Sequence, residues 1–246
     1  MSKAAVVAVM VATFACAPVP ATQTVMSVPL PTAQPRAPRE LLWVRTAAEH
    51  EALFHQTFRA ARERLASLAS RSPVGTWAVI ADADETRVDN SEYQRRILPS
   101  GSSFDSASWN AWVRERAAPA LPGAVDFARS VRAMGGHLVV VTNRDGHVCE
   151  DTRANLAAIG IEAAAVLCRT STSDKNPRFE AVRTGSAVPN LPAMQTLMWV
   201  GDNIQDFPQL TQSIRNTRDP RMALFGDRYF VLPNPMYGSF ERNTMR

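Results

Sequence analysis

Lysine is almost absent from this chain. Of its 246 residues 27 are basic, yet only Lys3 and Lys175 are lysines and the other 25 are arginines. The basic residues nowhere form a run of five, and the formal net charge is only +4. This distribution disfavours a nucleic-acid surface and leaves small acidic molecules as candidate partners. A lone lysine in the folded part is either a stray surface residue or a cation with a specific task.

Long apolar runs and internal repeats are also missing. The apolar run at residues 4–15 is too short for a lasting membrane anchor. Hydrophobic residues still make up 46% of the chain. That is enough for one sizeable domain, or for one domain with a small subdomain.

The amino-terminal residues predict export. Lys3, the apolar run at 4–15 and then Cys16 form the pattern of a secretory signal, which we assign to residues 1–21. Cys16 is a candidate for lipidation, and cleavage at the end of that range is the alternative. The 24 residues after Cys16 contain six prolines, so residues 22–40 are predicted to be an extended tether. We expect an exported protein of the bacterial cell envelope, either a lipoprotein or a periplasmic protein.

The hydrophobic pattern predicts alternating helices and strands. Apolar residues recur at helical spacing over 46–70, with Thr46 and Glu49 as the capping box of a long amphipathic helix. The runs predicted as strands lie at 77–81, 137–141, 163–167 and 196–200, and later runs at 222–225 and 229–232 could extend the sheet. This order is typical of an α/β fold with a doubly wound, Rossmann-like core and a parallel sheet. Ligands of such folds bind beyond the carboxyl ends of the strands.

A small helical subdomain is expected beside this core. Residues 89–122 carry Trp109 and Trp112 but no strand pattern. Together with the helix at 46–70 they are expected to form a cap over the ligand site, within a domain that spans 41–246. The two tryptophans are spaced as neighbours on one helix face, and core packing explains such a pair as well as ligand stacking does.

Two carboxylates follow the first predicted strand. The segment Asp-Ala-Asp-Glu-Thr at 82–86 places Asp82 and Asp84 at the strand end. An aspartate nucleophile there would form an aspartyl-phosphate, and a protonated second carboxyl group would donate to the leaving alcohol. By itself this pattern also occurs in calcium loops and capped turns, so it does not decide the function.

Three further elements favour phosphate chemistry. Thr142 and Asn143 end the second predicted strand and offer hydroxyl, amide and backbone N–H groups to phosphate oxygens. Lys175 would neutralise the phosphate and the attacking carboxylate as a compact point charge. Asp202 and Asp206 follow the fourth strand. With the nucleophile they would form an all-oxygen site that suits Mg²⁺.

The order of these motifs resembles the haloacid dehalogenase (HAD) superfamily. Asp-x-Asp-x-Thr, Thr-Asn-Arg, an isolated lysine and Gly-Asp-Asn-x-x-Asp follow one another as its four motifs do. The segments at 82–93, 122–125 and 232–238 resemble one family of this superfamily, the class C acid phosphatases. This family comprises bacterial outer-membrane lipoproteins that act as phosphatases and 5′-nucleotidases. The similarity covers residues 40–242. It implies an Mg²⁺-dependent acid phosphatase that hydrolyses phosphomonoesters, with nucleoside 5′-monophosphates as expected substrates.

The resemblance also implies a role for each site residue. Asp82 would be the nucleophile and a metal ligand, and Asp84 the general acid and base, with its backbone carbonyl on the metal. Asp202 would bind the metal, and Asp206 would support the metal's waters or the lysine. Thr142, Asn143 and Lys175 would bind the phosphate. Trp109 and Tyr237 would stack on a nucleobase. Arg144 could orient the phosphate loop, although a surface ion pair explains it equally well.

Cys149 and Cys168 are the only cysteines besides Cys16. In an exported protein they are candidates for a disulfide, because the start of the helix after the second strand and the end of the third strand lie near the same edge of the sheet. Two reduced core residues are the alternative.

Competing functions stay open on the sequence alone. One alternative is a phosphatase or phosphotransferase that acts on sugar or aryl phosphates. Another is a surface lipoprotein that binds a ligand without turnover. That reading expects the loss of Asp82 or Lys175, and both are present.

Overall fold

Five parallel strands form one sheet with helices on both faces. The computed structural model describes residues 37–100 and 104–244, and these belong to one compact unit. The strands are β1 (Trp77–Ala81), β2 (His137–Asp145), β3 (Ala165–Arg169), β4 (Gln195–Gly201) and β5 (Tyr229–Val231). The helices are α1 (Arg39–Thr46), α2 (Ala48–Ala69), α3 (Ser91–Ile97), α4 (Ser106–Glu115), α5 (Ala124–Ala133), α6 (Cys149–Ala158) and α7 (Asn176–Thr184). The predicted leader, Cys16 and residues 22–36 of the predicted tether lie outside the described residues.

The sheet has the strand order β3-β2-β1-β4-β5, and all five residues of the central strand β1 are buried. Because successive side chains of a strand point to opposite faces, β1 contributes to two cores. Val79 packs in the core that contains Phe58 of α2 and Phe127 of α5, whereas Ile80 packs with Phe179 of α7. The doubly wound α/β prediction is therefore confirmed.

Strand pairing brings distant chain segments together at the carboxyl edge of the sheet. β1 lies between β2 and β4, and Ala81 is in register with Val140 and Val200. The backbone N–H of Asp82 continues this pairing by donating to the Val200 carbonyl at 3.0 Å. Asp202 follows β4 directly, so the two aspartates leave neighbouring strands at the same edge.

The long helix differs from its prediction in its start and in its position. Thr46 ends α1 and donates its hydroxyl to the Leu42 carbonyl at 2.7 Å, and the N-cap of α2 is Ala47 without a side-chain hydrogen bond. The capping box of Thr46 and Glu49 is therefore wrong, because the preceding residues are themselves helical. α1 begins at Arg39, inside the segment predicted as tether.

The expectation that the helix at 46–70 covers the ligand site is also wrong. The apolar stripe of α2, which includes Phe54, Phe58 and Leu65, is buried against α5 and the sheet. Burial of such a stripe fixes a helix against the core rather than over a cleft. The segment at 89–122 does contain helices, α3 and α4, and these border the cleft described below.

Two further details concern the later part of the chain. The run at 229–232 supplies β5, whereas the run at 222–225 lies mostly in a 3₁₀ turn, Pro220–Leu224, and does not extend the sheet. Cys149 at the start of α6 and Cys168 in β3 form a disulfide with a Cα–Cα distance of 5.8 Å. The reduced alternative is thus excluded. Within the described ranges, no helix is both long and apolar enough to cross a membrane.

Candidate active site

A cleft of about 600 Å³ opens at the carboxyl edge of the sheet. Its floor carries the acidic residues that follow β1 and β4, and its walls come from α1, from the segment between α3 and α4, and from the segment after β5. The predicted site residues that line it are Asp82, Asp84, Trp109, Asn143, Lys175, Asp202, Asp206 and Tyr237. The fold therefore gathers residues that are more than 150 positions apart in the chain into one site.

Lys175 lies at the centre of this floor and is only 5% exposed. Its ammonium group donates to Asp82 Oδ1 at 2.5 Å and to Asp206 Oδ1 at 2.6 Å. Lys175 is the residue before α7, whose apolar face is buried against the sheet, so the helix start fixes the lysine backbone. The interpretation of Lys175 as a stray surface residue is excluded.

Three carboxylates form a cluster that fits a divalent cation. Asp82, Asp202 and Asp206 each offer an oxygen, and these atoms all lie within 4.8 Å of one another. Thr86 donates its hydroxyl to Asp202 at 3.0 Å, and Asn234 donates its amide to the other Asp202 oxygen at 2.9 Å. Carboxylate oxygens are the ligands of hard cations such as Mg²⁺. One ammonium group cannot balance three carboxylates, so the donor set and its charge both suit a metal ion.

Burial shifts the protonation equilibria of this cluster. Burial raises the pKa of Asp82 to about 7, with Lys175 opposing the rise and the carboxylates of Asp206 and Asp84 adding to it. The pKa of Asp202 is also well above its usual range, first through burial and then through Asp206 and Asp82. For Lys175, burial lowers the pKa, but Asp206 and Asp82 outweigh it and raise the pKa above its ordinary value. The lysine is therefore firmly charged, whereas burial shifts Asp82 and Asp202 towards their protonated forms.

Asp84 is held by a buried arginine. Arg144, only 2% exposed, donates its Nε–H to Asp84 Oδ1 at 2.8 Å. Asn90 donates its side-chain amide to the same oxygen at 2.9 Å and accepts from Arg144 at 3.1 Å and from Trp112 at 2.8 Å. The interpretation of Arg144 as a surface ion pair is wrong, because its partner is inside the site. The other oxygen of Asp84 has no protein donor among the described residues, so it is free to meet a ligand.

The predicted phosphate loop has one exposed and one buried member. The side chain of Asn143 is exposed, donates to the Ser173 carbonyl at 3.0 Å and accepts from Arg178 at 2.6 Å. Thr142 is fully buried and its hydroxyl accepts the Arg144 backbone N–H at 3.1 Å. Thr142 therefore lies behind the cleft wall, and its contact with phosphate stays a prediction.

Aromatic side chains form part of the cleft wall. Trp109 of α4 packs edge-on against Tyr93, with ring centroids 5.0 Å apart, and lies 5.8 Å from the Arg144 guanidinium carbon. Phe104 is 64% exposed and its ring centroid lies 6.1 Å from that of Trp109. Tyr237, after β5, is half-buried and donates its hydroxyl to the carboxylate of Glu85.

Glu85 and Asn90 are site residues that the sequence reasoning missed. Glu85 is 4% exposed and adopts a left-handed φ of 50° in the turn after Asp84. Burial raises its pKa well above the usual range, and Asp84 and Asp202 raise it further. Both residues lie in the segment 82–93, which carries the family resemblance. That resemblance was the sequence feature that could have identified them as site residues. Residue types alone do not show which of these polar groups the fold buries.

The fold and this cleft define an α/β enzyme whose acidic, cation-accepting site lies at the carboxyl edge of a parallel sheet. Residues 3–240 match the family described as the HAD superfamily, subfamily IIIB (acid phosphatase). The structure is similar to that of the class C acid phosphatase from Bacillus anthracis, with a TM-score of 0.72 and 28% identity over 82% of this chain and 85% of that chain. The tungstate-bound structure of the class C acid phosphatase from Bacillus anthracis gives a TM-score of 0.71 and 27% identity over the same shares.

The chain belongs to the acid phosphatases of HAD subfamily IIIB. The predicted class C resemblance is confirmed, and the protein is a phosphoric monoester hydrolase that acts on small phosphate esters. HAD phosphatases depend on a metal ion, and the carboxylate cluster can hold one. The non-catalytic alternative is therefore set aside.

Proposed function

We propose that this acid phosphatase hydrolyses nucleoside 5′-monophosphates through an aspartyl-phosphate on Asp82. The observation that carries the proposal is the double contact of Lys175 with Asp82 and Asp206 on the cleft floor. A lysine that orients one carboxylate oxygen leaves the other oxygen of Asp82 for attack on phosphorus. The cation also offsets the negative charges that must approach one another.

The chemistry divides into two displacements. In the first, an Asp82 oxygen bonds to phosphorus, the ester P–O bond breaks, and Asp84 gives its proton to the leaving alkoxide. In the second, Asp84 takes a proton from water, the water oxygen bonds to phosphorus, and the Asp82–phosphorus bond breaks to release inorganic phosphate. The Arg144 and Asn90 contacts on one Asp84 oxygen orient the other towards the leaving group.

A divalent cation, for which we propose Mg²⁺, would supply electrostatic stabilisation of the phosphoryl oxygens. Asp82 and Asp202 would hold it directly, together with the backbone carbonyl of Asp84. Both oxygens of Asp206 already accept hydrogen bonds, from Lys175 and from the Asn203 backbone. This supports a role for Asp206 in fixing the lysine and the waters around the cation rather than in direct ligation.

The walls of the cleft support a planar leaving group. Trp109 and Tyr237 both line it, and stacking on an aromatic side chain is worth about 1–3 kcal/mol per base. The Bacillus anthracis enzyme has been solved with tungstate, a tetrahedral oxyanion like phosphate. We propose that Asn143, Lys175 and Thr142 receive the phosphate of the substrate and that the two aromatic rings receive its base.

A phosphate-release panel tests the proposal. Nucleoside monophosphates, sugar phosphates and aryl phosphates are compared with and without EDTA, followed by addition of Mg²⁺. We expect the highest kcat/KM for nucleoside monophosphates and loss of activity in EDTA that Mg²⁺ restores. A higher kcat/KM for sugar phosphates would contradict the assignment of nucleotides as substrates. Full activity in EDTA would contradict the requirement for a metal ion.

We also propose that the enzyme works in the cell envelope. The Cys149–Cys168 disulfide supports an oxidising compartment, where such bonds persist. Fractionation of expressing cells tests the location: recovery with the cytoplasmic fraction alone would contradict it, and metabolic labelling with a fatty acid would test the lipidation of Cys16.

A further inference from the structure

Glu85 is a buried carboxyl group that the proposed reaction does not use. It directly follows Asp84, and its side chain accepts hydrogen bonds on both oxygens. The Asn90 backbone N–H donates to Oε1 at 2.9 Å, and the Asn90 amide donates to Oε2 at 3.3 Å. Its own backbone is fixed as well, because its N–H donates to the Val88 carbonyl at 3.0 Å. Glu85 is thus a rigid acceptor whose position is set by the same turn that presents Asp84.

The remaining donor to this carboxylate comes from the segment after β5. Tyr237 donates its hydroxyl to Glu85 Oε2 although the two residues are 152 positions apart. The segment that carries Tyr237 has a second tie to the site, because Asn234 donates to Asp202 Oδ2 at 2.9 Å. A hydrogen bond in the interior of a protein is electrostatically stronger than one in water. The Tyr237 ring is therefore held in one place before any ligand arrives.

We propose that Glu85 is a positioning residue that sets leaving-group selectivity by holding Tyr237 as a fixed wall of the cleft. A ring that is already ordered loses little conformational entropy when a planar leaving group stacks on it. A leaving group without a flat face gains nothing from this order. The residue next to the general acid would then favour esters of planar aromatic alcohols and nucleosides over aliphatic ones. This inference rests on the proposed function in taking the cleft as the substrate site.

Tyr237→Phe tests the inference because it keeps the ring and removes only the hydroxyl. KM and kcat are measured for adenosine 5′-monophosphate and for glycerol phosphate. We expect the KM for the nucleotide, divided by the KM for glycerol phosphate, to rise roughly 3- to 10-fold, as the loss of one ordinary hydrogen bond predicts. Glu85→Ala should change this ratio in the same direction. The double variant Tyr237→Phe/Glu85→Ala should show no larger change than either single variant. Glu85→Gln, which keeps an acceptor for the tyrosine hydroxyl, should show a smaller change than Glu85→Ala.

Tyr229→Phe is the matched control, because it removes a tyrosine hydroxyl from β5 outside the cleft and should leave the ratio unchanged. An unchanged ratio in Tyr237→Phe, or additive effects in the double variant, would overturn the inference. The Tyr237→Phe result decides alone if Glu85→Ala does not fold. If the inference about Glu85 is wrong, turnover of glycerol phosphate still depends on Asp82. If the proposed mechanism is wrong, turnover persists in Asp82→Asn.

Discussion

The charged side chains of this cleft differ in whether they contact a group of opposite charge. Lys175 contacts two carboxylates and Arg144 contacts a third, so each fixed cation has acidic partners. Among the described residues, the donors to Asp202 are both neutral, namely Thr86 and Asn234. Excess negative charge in a buried site raises carboxyl pKa values until a further cation arrives. The side chains thus leave a place for a metal ion and for the phosphate that follows it.

Asp82→Asn should remove turnover and keep the fold. The amide cannot form the acyl-phosphate, and loss of a nucleophile costs roughly 10³-fold or more in kcat. Phosphate release is measured beside far-ultraviolet circular dichroism. Asp126→Asn is the control, because its side chain is 78% exposed on α5. Turnover near that of the control would contradict the assigned nucleophile.

Asp84→Asn should turn over alkyl esters slowly and release good leaving groups with a smaller defect. Protonation matters most when the departing alkoxide is a strong base. A burst experiment with nitrophenyl phosphate isolates the first displacement, and glycerol phosphate provides the comparison. Equal defects for both esters would argue against proton donation by Asp84.

The affinity for Mg²⁺ should depend on pH through Asp82. Its pKa rises to about 7 from an ordinary value near 4, so the metal-free fold favours the protonated group. This contribution to stability is present at low pH and is lost as the pH rises through about 7. Because a cation needs the ionised group, its binding should strengthen with pH by up to about tenfold per unit below that value.

Thermal unfolding with and without Mg²⁺, from about pH 5 to about pH 8, measures both effects. The Tm of the EDTA-treated protein should fall with rising pH, and the increase caused by Mg²⁺ should grow. The Asp82→Asn protein is the control, since it carries no titrating group at this position. An increase in Tm that is equal at all pH values would rule out this coupling.

At the scale of elements, strand positions followed from sequence better than helix ends did. The apolar runs predicted β1 with its observed bounds, and parallel pairing predicted that Asp82 and Asp202 meet. The start of α2 was wrong because Thr46 is a plausible cap by residue type and lies instead inside a preceding helix. The contacts of Glu85 and Arg144 could not be predicted either, because burial depends on how the loops pack. Patterns report local periodicity, whereas networks of polar groups are a tertiary property.

A buried arginine between α2 and α5 provides a test of packing. Arg87 is fully buried between the rings of Phe58 and Phe127, and its Nε and one terminal nitrogen have no hydrogen-bond partner within the described part of the chain. Burial lowers its pKa to about 9. Each contact with a ring stabilises the fold by up to about 2 kcal/mol. The desolvation penalty of an unpaired guanidinium group is larger than this stabilisation.

Arg87→Met should therefore raise the free energy of unfolding by about 1 kcal/mol, because the thioether keeps the aromatic contacts without the charge. Urea denaturation measures the change. Arg144→Met is the contrast, and it should destabilise by roughly 3 kcal/mol, since among the described residues it removes the one cation that contacts Asp84 and leaves the Asn90 amide as the donor to that carboxylate. A loss of stability in Arg87→Met as large as that in Arg144→Met would contradict this view of α2 packing.

At the scale of the whole molecule, one covalent link ties α6 to the sheet. The Cys149–Cys168 bond spans a sequence separation of 19, and its loss should cost roughly 3 kcal/mol by the chain-entropy relation. Peptide-resolved mass spectrometry after alkylation of unreduced, denatured protein should find neither cysteine modified, and both modified after reduction. Cys149→Ser should unfold at lower urea. Two alkylated thiols without reductant would show that the bond is absent.

The scarcity of lysine gives this enzyme a built-in chemical reporter. Lys3 and Lys175 carry the only side-chain amines in the sequence, and Lys175 lies on the cleft floor. An amine-selective acylating reagent that modifies position 175 must reach this floor and must find the ammonium deprotonated. The rate of acylation at that single position, read by mass spectrometry, would therefore measure how often the acidic cluster opens. Metal ions and phosphate should each slow that rate, without any engineered label.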